Sequence, residues 1–512
     1  MLIYNTQTHK KEPLQPTEPG KIRMYVCGPT VYDQIHIGNA RTFLSFDVIR
    51  RYLTYRGFAV TVAQNLTDVD DKIINRANEE GRSSAEVAEE FSNAFIDIMH
   101  RFGIADPDIR PRATQEIQAM QDMISLLIDR GFAYPADNGD VYFSVRSDSA
   151  YGILSGRDLD RLRAGERVEV NDQKRDPFDF ALWKAAKPGE PAWPSPWGEG
   201  RPGWHTECCA MIHRYLGTSI DIHGGGQDLV FPHHENETAQ AMCAWDAPLA
   251  HTWMHTGMLR VNGEKMSKSL GNFYTLKEVL DKYPTNAVRL LMLQTHYRAP
   301  LDFSFDRLDG TLGTIERLES CVHNLLWAAE NTGELAIAPA AAPSAETDAD
   351  DVDVEFKAAI AAARNEFVAQ MDDDFNTAGG LAALFTLVSS ANTYLDKHAG
   401  QVVPELARDA AQTITELLGV LGIELQSQDK SDLPAELLDL AKQYASYDGN
   451  DIAEAAKLVL DARTSARAKK NWSLADAIRD ALAELGLIVE DTAAGPRLTH
   501  KSAVKGKGGA RG

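Results

Sequence analysis

The chain has 512 residues, 44% of them hydrophobic and 25% charged, and a formal net charge of −22. That composition suits a globular protein with a real core, and the length leaves room for roughly three domains of 100–200 residues each. No apolar run reaches about eighteen residues, which excludes a spanning helix, and residues 1–11 are too polar for a secretion signal. No membrane partner and a cytoplasmic location are therefore expected. The five cysteines, Cys27, Cys208, Cys209, Cys243 and Cys321, are odd in number and sparse. They make a poor disulfide framework and suit reduced thiols, some of them open to a metal. The acidic balance alone argues against nucleic acid, because phosphate contacts need Lys and Arg. Net charge does not say where positive groups cluster, however.

Residues 20–75 read as an α/β unit. A strand over 22–26 runs into the turn Cys27-Gly28-Pro29-Thr30. Phe43, Phe46, Ile49 and Tyr52 recur at helical spacing over 39–55, Gly57 stops that helix, and 59–63 is a second strand. Strand, helix and strand of these lengths predict a βαβ crossover and a parallel sheet. Residues 100–200 break the rhythm with a helix near 114–130, a strand at 141–145 and a stretch rich in Pro, Trp and Gly over 187–204. They read as an insertion, and 205–296 return to α/β character. From 301 onward the pattern is helical, with helices over 307–331, 354–371 and 381–397. Residues 334–353, rich in Ala, Pro, Asp and Thr, read as a solvated linker. A last unit from about 434 carries helices over 450–470 and 472–485. The basic tail is expected to be disordered. The predicted fold class is α/β: a Rossmann-like parallel-sheet catalytic domain over 1–300, split by an insertion at about 100–200. A helical bundle over 301–425, a C-terminal domain over 430–498 and a tail over 499–512 follow.

Two motifs carry nucleotide chemistry. His36-Ile37-Gly38-Asn39 falls between strand and helix, where Gly38 lets a nucleotide approach the backbone and free N–H groups face phosphate. His36 can donate to phosphate oxygens as charge builds up. About 225 residues later comes Lys265-Met266-Ser267-Lys268-Ser269, two lysines among small polar residues between Gly263 and Gly271. That describes a cationic loop able to close over a triphosphate. Taken alone, the first motif reads as an ordinary loop and helix start, and the second as a solvated basic turn. A third constellation is metal-like. Cys27, Cys208 or Cys209, His233 or His234, and Glu237 offer a Cys₂-His-Glu set for tetrahedral zinc, with His233 and Glu237 at i and i+4 and Pro232 at a helix start. Buried hydrophobic cysteines would look the same in sequence.

Taken together the two motifs resemble the HIGH and KMSKS signatures of class I aminoacyl-tRNA synthetases, with Asn39 replacing the usual second His. The stretches Met24-Tyr25-Val26-Cys27-Gly28, Pro202-Gly203-Trp204-His205-Thr206-Glu207-Cys208, Asp221-Ile222-His223-Gly224-Gly225-Gly226-Gln227-Asp228-Leu229 and Phe231-Pro232-His233-His234-Glu235-Asn236-Glu237 look like those of cysteinyl-tRNA synthetases. The similarity runs from residue 1 to about 498. It implies zinc on Cys27, Cys208, His233 and Glu237, and an amino-acid pocket near Thr67, Trp204 and His223. It also implies ATP contacts at His36, Gly38, Gly226, Asp228 and Lys268, with His36, Asn39, Lys265 and Lys268 handling phosphate charge beside Mg²⁺. Zinc prefers a soft thiolate to a hydroxyl, so it would separate cysteine from serine without an editing domain. The expected partners are ATP, L-cysteine and tRNA(Cys), and the expected state is a monomer. Arg463, Arg467, Lys469 and Lys470 beside Trp472 suit phosphate contact and base stacking. Two rivals are a cysteine ligase of the same fold acting on a small amine, and a non-catalytic zinc and tRNA-binding protein.

Overall fold

The computed structural model describes residues 1–158, 173–267, 270–330, 349–398, 402–425, 433–492 and 495–500. The chain forms two compact units: Met1–Ile315 with Asn365–Leu384 and Glu416–Glu424, and Glu316–Arg364 with Phe385–Thr415 and Leu425–Gly512.

In the first unit, a hairpin of β1 (Leu2–Asn5) and β2 (Lys10–Pro13) precedes β3 (Lys21–Val26), helix α1 (Ile37–Tyr55) and β4 (Ala59–Ala63). Antiparallel β5 (Ala133–Pro135), β6 (Val141–Phe143), β7 (Phe180–Ala185) and β8 (Gly200–Pro202) then form a sheet of their own. The chain returns to the first sheet as β9 (Ile220–Gly226) and β10 (Ala250–Thr256). That sheet is parallel in the order β10-β9-β3-β4, with Met24 opposite Ile222 and Ala250 opposite Ile220. The β3-α1-β4 crossover winds to one side and β9-β10 to the other. The strand order therefore reverses between β3 and β9, and the crevice beyond their carboxyl ends is where such sheets bind ligands.

The residues between β4 and β9 are not packed apart from the parallel sheet. One buried cluster runs from Tyr25 and Ala63 through Met120, Ile124, Phe143 and Trp183 to Ile212, Ile220 and Trp253. The expected strand over 141–145 ends at Phe143, because the Val145 N–H turns to the Asp179 carboxylate (2.9 Å) instead of a neighbouring strand. The helix predicted at 114–130 spans Ile117–Asp129, and α1 begins two residues earlier than its apolar pattern, at Ile37.

The second unit holds most of the long helices. A small core of Leu437, Ala441, Ala455, Val459, Ile478, Leu482 and Leu487 joins helices Leu437–Ala445, Ile452–Ala468 and Trp472–Glu484 to a terminal hairpin. The sequence reading did not anticipate that hairpin. Of the expected linker over 334–353, residues 334–348 lie outside the described residues and 349–353 instead begin the helix Ala349–Asp372; the tail lies outside them from residue 501. No described helix is long and apolar enough to cross a membrane.

Candidate active site and metal centre

The crevice beyond β3 and β9 is a cavity of about 320 Å³, and Cys27, Thr67, Trp204, Cys208 and His233 line one part of it. His36, Gly38, Asn39, Gly226, Asp228 and Lys265 line the rest. Lys268 lies outside the described residues. The remaining two expected site residues, His223 and Glu237, are completely buried and do not line the cavity.

The start of α1 explains the nucleotide end. His36 is the N-cap: its Nδ1 accepts the Asn39 N–H (3.1 Å), and the Asn39 side-chain oxygen accepts the His36 N–H (3.3 Å). This reciprocal box satisfies two otherwise orphaned donors. It also fixes the tautomer. With Nδ1 accepting, a neutral ring carries its proton on Nε2. Asn39 is thus first a clamp on His36, a job that needs an amide and no proton charge. Gly38 is required because a Cβ there would lie 2.9 Å from His36 Nδ1, and at Gly226 one would lie 2.4 Å from the Asp228 carboxylate. Across the cavity, Lys265 ends a short hairpin (Leu259–Val261 with Glu264–Lys265), and the Asn272 amide ties its carbonyl (3.2 Å) and the Ser267 N–H (2.8 Å) together.

Arg41, one turn into α1, was not singled out by sequence. It is buried and donates to four carbonyls: Gly257 (2.9 Å), Met258 (3.4 Å), His296 (3.0 Å) and Ala299 (2.6 Å). Gly257 and Met258 line the cavity, so the guanidinium fixes the wall facing the helix start. Burial pulls its pKa down to about 10.

The thiol end is a buried cluster. Cys27, Cys208, His233 and Glu237 each offer a ligand atom, all within 4.8 Å of one another. Cys27 Sγ lies 3.7 Å from Cys208 Sγ and 3.7 Å from Glu237 Oε1, and Cys208 Sγ lies 3.8 Å from His233 Nε2. Bonds of about 2.3 Å to sulfur and 2.0 Å to nitrogen or oxygen give tetrahedral edges of roughly 3.3–3.8 Å, so these separations fit a zinc-sized ion. The His233–Glu237 edge, at 2.8 Å, is contracted by a direct hydrogen bond. The Cys27 thiol donates to Cys208, which lowers the Cys208 pKa to about 6, whereas burial and that same bond push Cys27 up. Burial pulls His233 down, but Glu237 outweighs it and carries the ring to about 10. The thiolate and the carboxylate are suitable metal donors as they stand, and His233 becomes one on giving up its ring proton.

Cys27 and Glu237 also form a second set with His223 and His234. Cys27, Cys208 and His233 line the cavity, while His223, His234 and Glu237 do not. Cys209 points its sulfur at the Glu237 carbonyl (3.6 Å) and belongs to neither set. Around the first set, His223 Nε2 holds Glu237 Oε2 (2.7 Å), His205 Nδ1 meets His233 Nδ1 (3.0 Å), and Trp204 stacks on His233 at 4.4 Å. Behind them His234 bridges Cys27 Sγ (3.2 Å) and His255 (2.7 Å). His205 and His255 carried no role in the sequence reading. Pro232 does not open the helix as expected: residues Val230–His234 form an irregular turn with Phe231 extended, and the helix proper is Glu235–Trp245.

Thr67 is held from both sides. Its hydroxyl donates to the buried Glu207 carboxylate (2.6 Å) and accepts from the Asn65 amide (3.2 Å), while Asn65 Oδ1 takes the Gly28 N–H (2.8 Å). Burial pushes Glu207 well above the usual carboxylate range. Neither Asn65 nor Glu207 has a spacing that marks it in the sequence.

In the second unit two of the four clustered basic residues have a carboxylate partner. Arg463 is buried and bidentate to Asp491 (2.7 and 3.1 Å), and Arg467 pairs with the same carboxylate. Trp472 is 58% exposed at the start of its helix, which Asn471 caps through the Leu474 N–H (3.3 Å).

The fold is that of class I aminoacyl-tRNA synthetases. A Mycobacterium tuberculosis methionyl-tRNA synthetase in complex with methionyl-adenylate superposes with a TM-score of 0.60 at 15% identity, over 85% of this chain and 96% of that one. An Agrobacterium radiobacter LeuRS in a ternary complex with tRNA gives 0.57 at 13%, over 83% and 89%. Residues 13–312 match the family model for the class I (C) tRNA synthetase catalytic domain, 366–426 a DALR domain, and 449–495 the cysteinyl-tRNA ligase anticodon binding domain. Cysteine–tRNA ligases from Caldicellulosiruptor saccharolyticus and Symbiobacterium thermophilum are each 46% identical, over 97% of this chain and 99% and 98% of theirs. The chain belongs to the cysteine–tRNA ligase family.

Proposed function

We propose that this protein activates L-cysteine with ATP and esterifies it onto tRNA(Cys), acting as a cytoplasmic monomer. The observation that carries the reading is a single cavity with a histidine-capped helix start and a lysine hairpin at one end, and a thiol–imidazole–carboxylate cluster at the other. The cysteine carboxylate attacks the α-phosphorus, and the bond to pyrophosphate breaks. A terminal ribose hydroxyl of tRNA then attacks the carbonyl carbon, and AMP leaves with the carbonyl–phosphate oxygen.

His36 presents Nε2–H to the phosphates, and Lys265 and Lys268 balance the charge of the leaving pyrophosphate, to which Mg²⁺ arriving with ATP would add positive charge. Gly38, Gly226 and Asp228 line the nucleotide's side of the cavity. Cys27, Cys208, His233 and Glu237 would hold Zn²⁺. Bound there, zinc supplies a soft Lewis acid that takes a thiolate in preference to a hydroxyl. Trp204 stacks on His233 and closes that end, Thr67 offers its held hydroxyl oxygen to the amino acid, and His223 orients Glu237 from behind.

Cysteine-dependent exchange of pyrophosphate into ATP tests the first step, and a protein that gives none is not this enzyme. Exchange without charging of tRNA, but with ligation of cysteine to a small amine, would favour the ligase rival. The match of residues 449–495 to an anticodon binding domain speaks for tRNA.

A further inference from the structure

A second cavity, of about 480 Å³, lies across the short turn Gln227–Leu229 from the first, and Asp228 lines both. Two arginines dominate its wall. The Arg157 guanidinium lies 4.3 Å over the Phe231 ring, and that of Arg298 lies 4.1 Å over the Tyr4 ring. Arg298 is fixed there by the buried Asp374, which lies 2.7 Å from its Nε and 2.6 Å from a terminal nitrogen. His9 lines the same cavity and meets the Tyr4 hydroxyl (3.5 Å). At the back stands the buried His255, held through Nδ1 by Thr6 (2.8 Å).

A guanidinium stacked on one aromatic face keeps its edge for phosphate and its other face for a base. Guanidinium planes, aromatic rings and hydroxyls in one cleft are the chemistry that holds an unpaired polynucleotide strand. In a chain of net charge −22, the Arg157 guanidinium facing this cavity is a local exception to the general repulsion of phosphate, since Arg298 is balanced by Asp374. ATP already has its phosphate end in the first cavity, at His36 and Lys265. What the reaction still has to bring to that cavity is the 3′ end of an RNA, followed by its phosphodiester chain.

We infer that the second cavity seats the unpaired nucleotides preceding the terminal adenosine of the tRNA, with phosphate on Arg157 and a base against the Phe231–Arg157 stack. The inference rests on the function proposed above and deepens it. The turn at Asp228 then separates nucleotide binding on one side from acceptor-strand binding on the other.

The test uses the full-length protein and its Arg157→Ala and Arg157→Lys variants. Cysteine-dependent pyrophosphate exchange is expected to stay within twofold of wild type in both, which also shows that they fold. Charging of tRNA should fall about tenfold in kcat/KM for Arg157→Ala, the size of one lost charge-assisted contact, with partial recovery in Arg157→Lys. Affinity for intact tRNA should fall in Arg157→Ala, and affinity for tRNA lacking its three 3′-terminal nucleotides should not. Unchanged charging would overturn the assignment. So would an equal loss of affinity for the truncated tRNA, which would mark a general basic surface, or a parallel loss of exchange, which would make the cavity part of the nucleotide site. Absence of exchange in the wild type would instead sink the proposed function itself.

Discussion

The metal-competent cluster and the basic segment near the C-terminus are opposite cases of how sequence becomes a site. Cys27, Cys208, His233 and Glu237 come from separated stretches, yet the meeting of β3 and β9 brings their ligand atoms within 4.8 Å. Arg463, Arg467, Lys469 and Lys470 are neighbours in sequence, yet the fold turns two of them onto Asp491. Adjacency in sequence hid the carboxylate partner of one group, and separation hid the meeting of the other. Buried groups have to find partners, and those partners decide what each group is left free to do.

The largest expected effect lies at the dispersed cluster. Replacing Cys208 by Ala removes the thiol whose pKa is already lowered to about 6, and with it a soft donor. Metal content should fall below stoichiometric, and the preference for cysteine over serine in pyrophosphate exchange should drop by more than about 10²-fold, since loss of a mere outer contact costs 10–100-fold. A variant that keeps both zinc and selectivity would show that the cluster is only a packed core.

His36→Asn separates chemistry from capping. Asparagine keeps a side-chain oxygen for the Asn39 N–H, so the helix start should survive, while the Nε2 donor is lost. The exchange rate should fall by about 10²-fold, the cost of one donor at a developing charge, with thermal stability nearly unchanged. Loss of both together would make His36 a structural cap alone. His223→Asn probes the layer behind the cluster. Freed from His223 Nε2, Glu237 should hold zinc about 10–100-fold more weakly, measured by chelator competition, with no change in the ATP requirement.

The layer structure also marks what the sequence could reveal. The βαβ crossover and its strand over 59–63 were legible, because apolar periodicity and glycine punctuation are local signals, whereas the two signatures gained meaning only as a pair and through resemblance. The identities of Cys27, Cys208, His233 and Glu237 came from resemblance, since nothing in their spacing separates His233 from His234 or Cys208 from Cys209. That separation depends on which side chains face the cavity. Arg41 was illegible for a related reason. Its partners are carbonyls of residues 257–258 and 296–299, and a carbonyl leaves no mark in a sequence. The terminal hairpin was missed because residues 487–500 mix charged and apolar types without clean alternation.

At the clustered basic segment the expected effects are smaller. Trp472→Ala removes an exposed ring that no core contact requires, and affinity for tRNA should fall by about tenfold, the value of one stacked base, with folding intact. An unchanged affinity would leave this helix start without a nucleic-acid role.

Asp491→Asn is the mildest test and the one that best sharpens the contrast. Hydrogen bonds from Arg463, and then from Arg467, outweigh the modest burial of Asp491 and hold its carboxyl at about 2. An unfolded aspartate titrates near 3.9. A pKa depressed on folding contributes stability that is complete above about pH 4 and disappears as pH falls toward 2. Its side chain is 48% exposed, so screening limits the contribution to no more than about 0.5 kcal/mol. The variant should therefore unfold at slightly lower urea than wild type at pH 7, and the two should converge as pH approaches 2. A difference independent of pH would mean that Arg463 and Arg467 are not committed to this carboxylate, and that both remain available to phosphate as their place in the sequence first suggested.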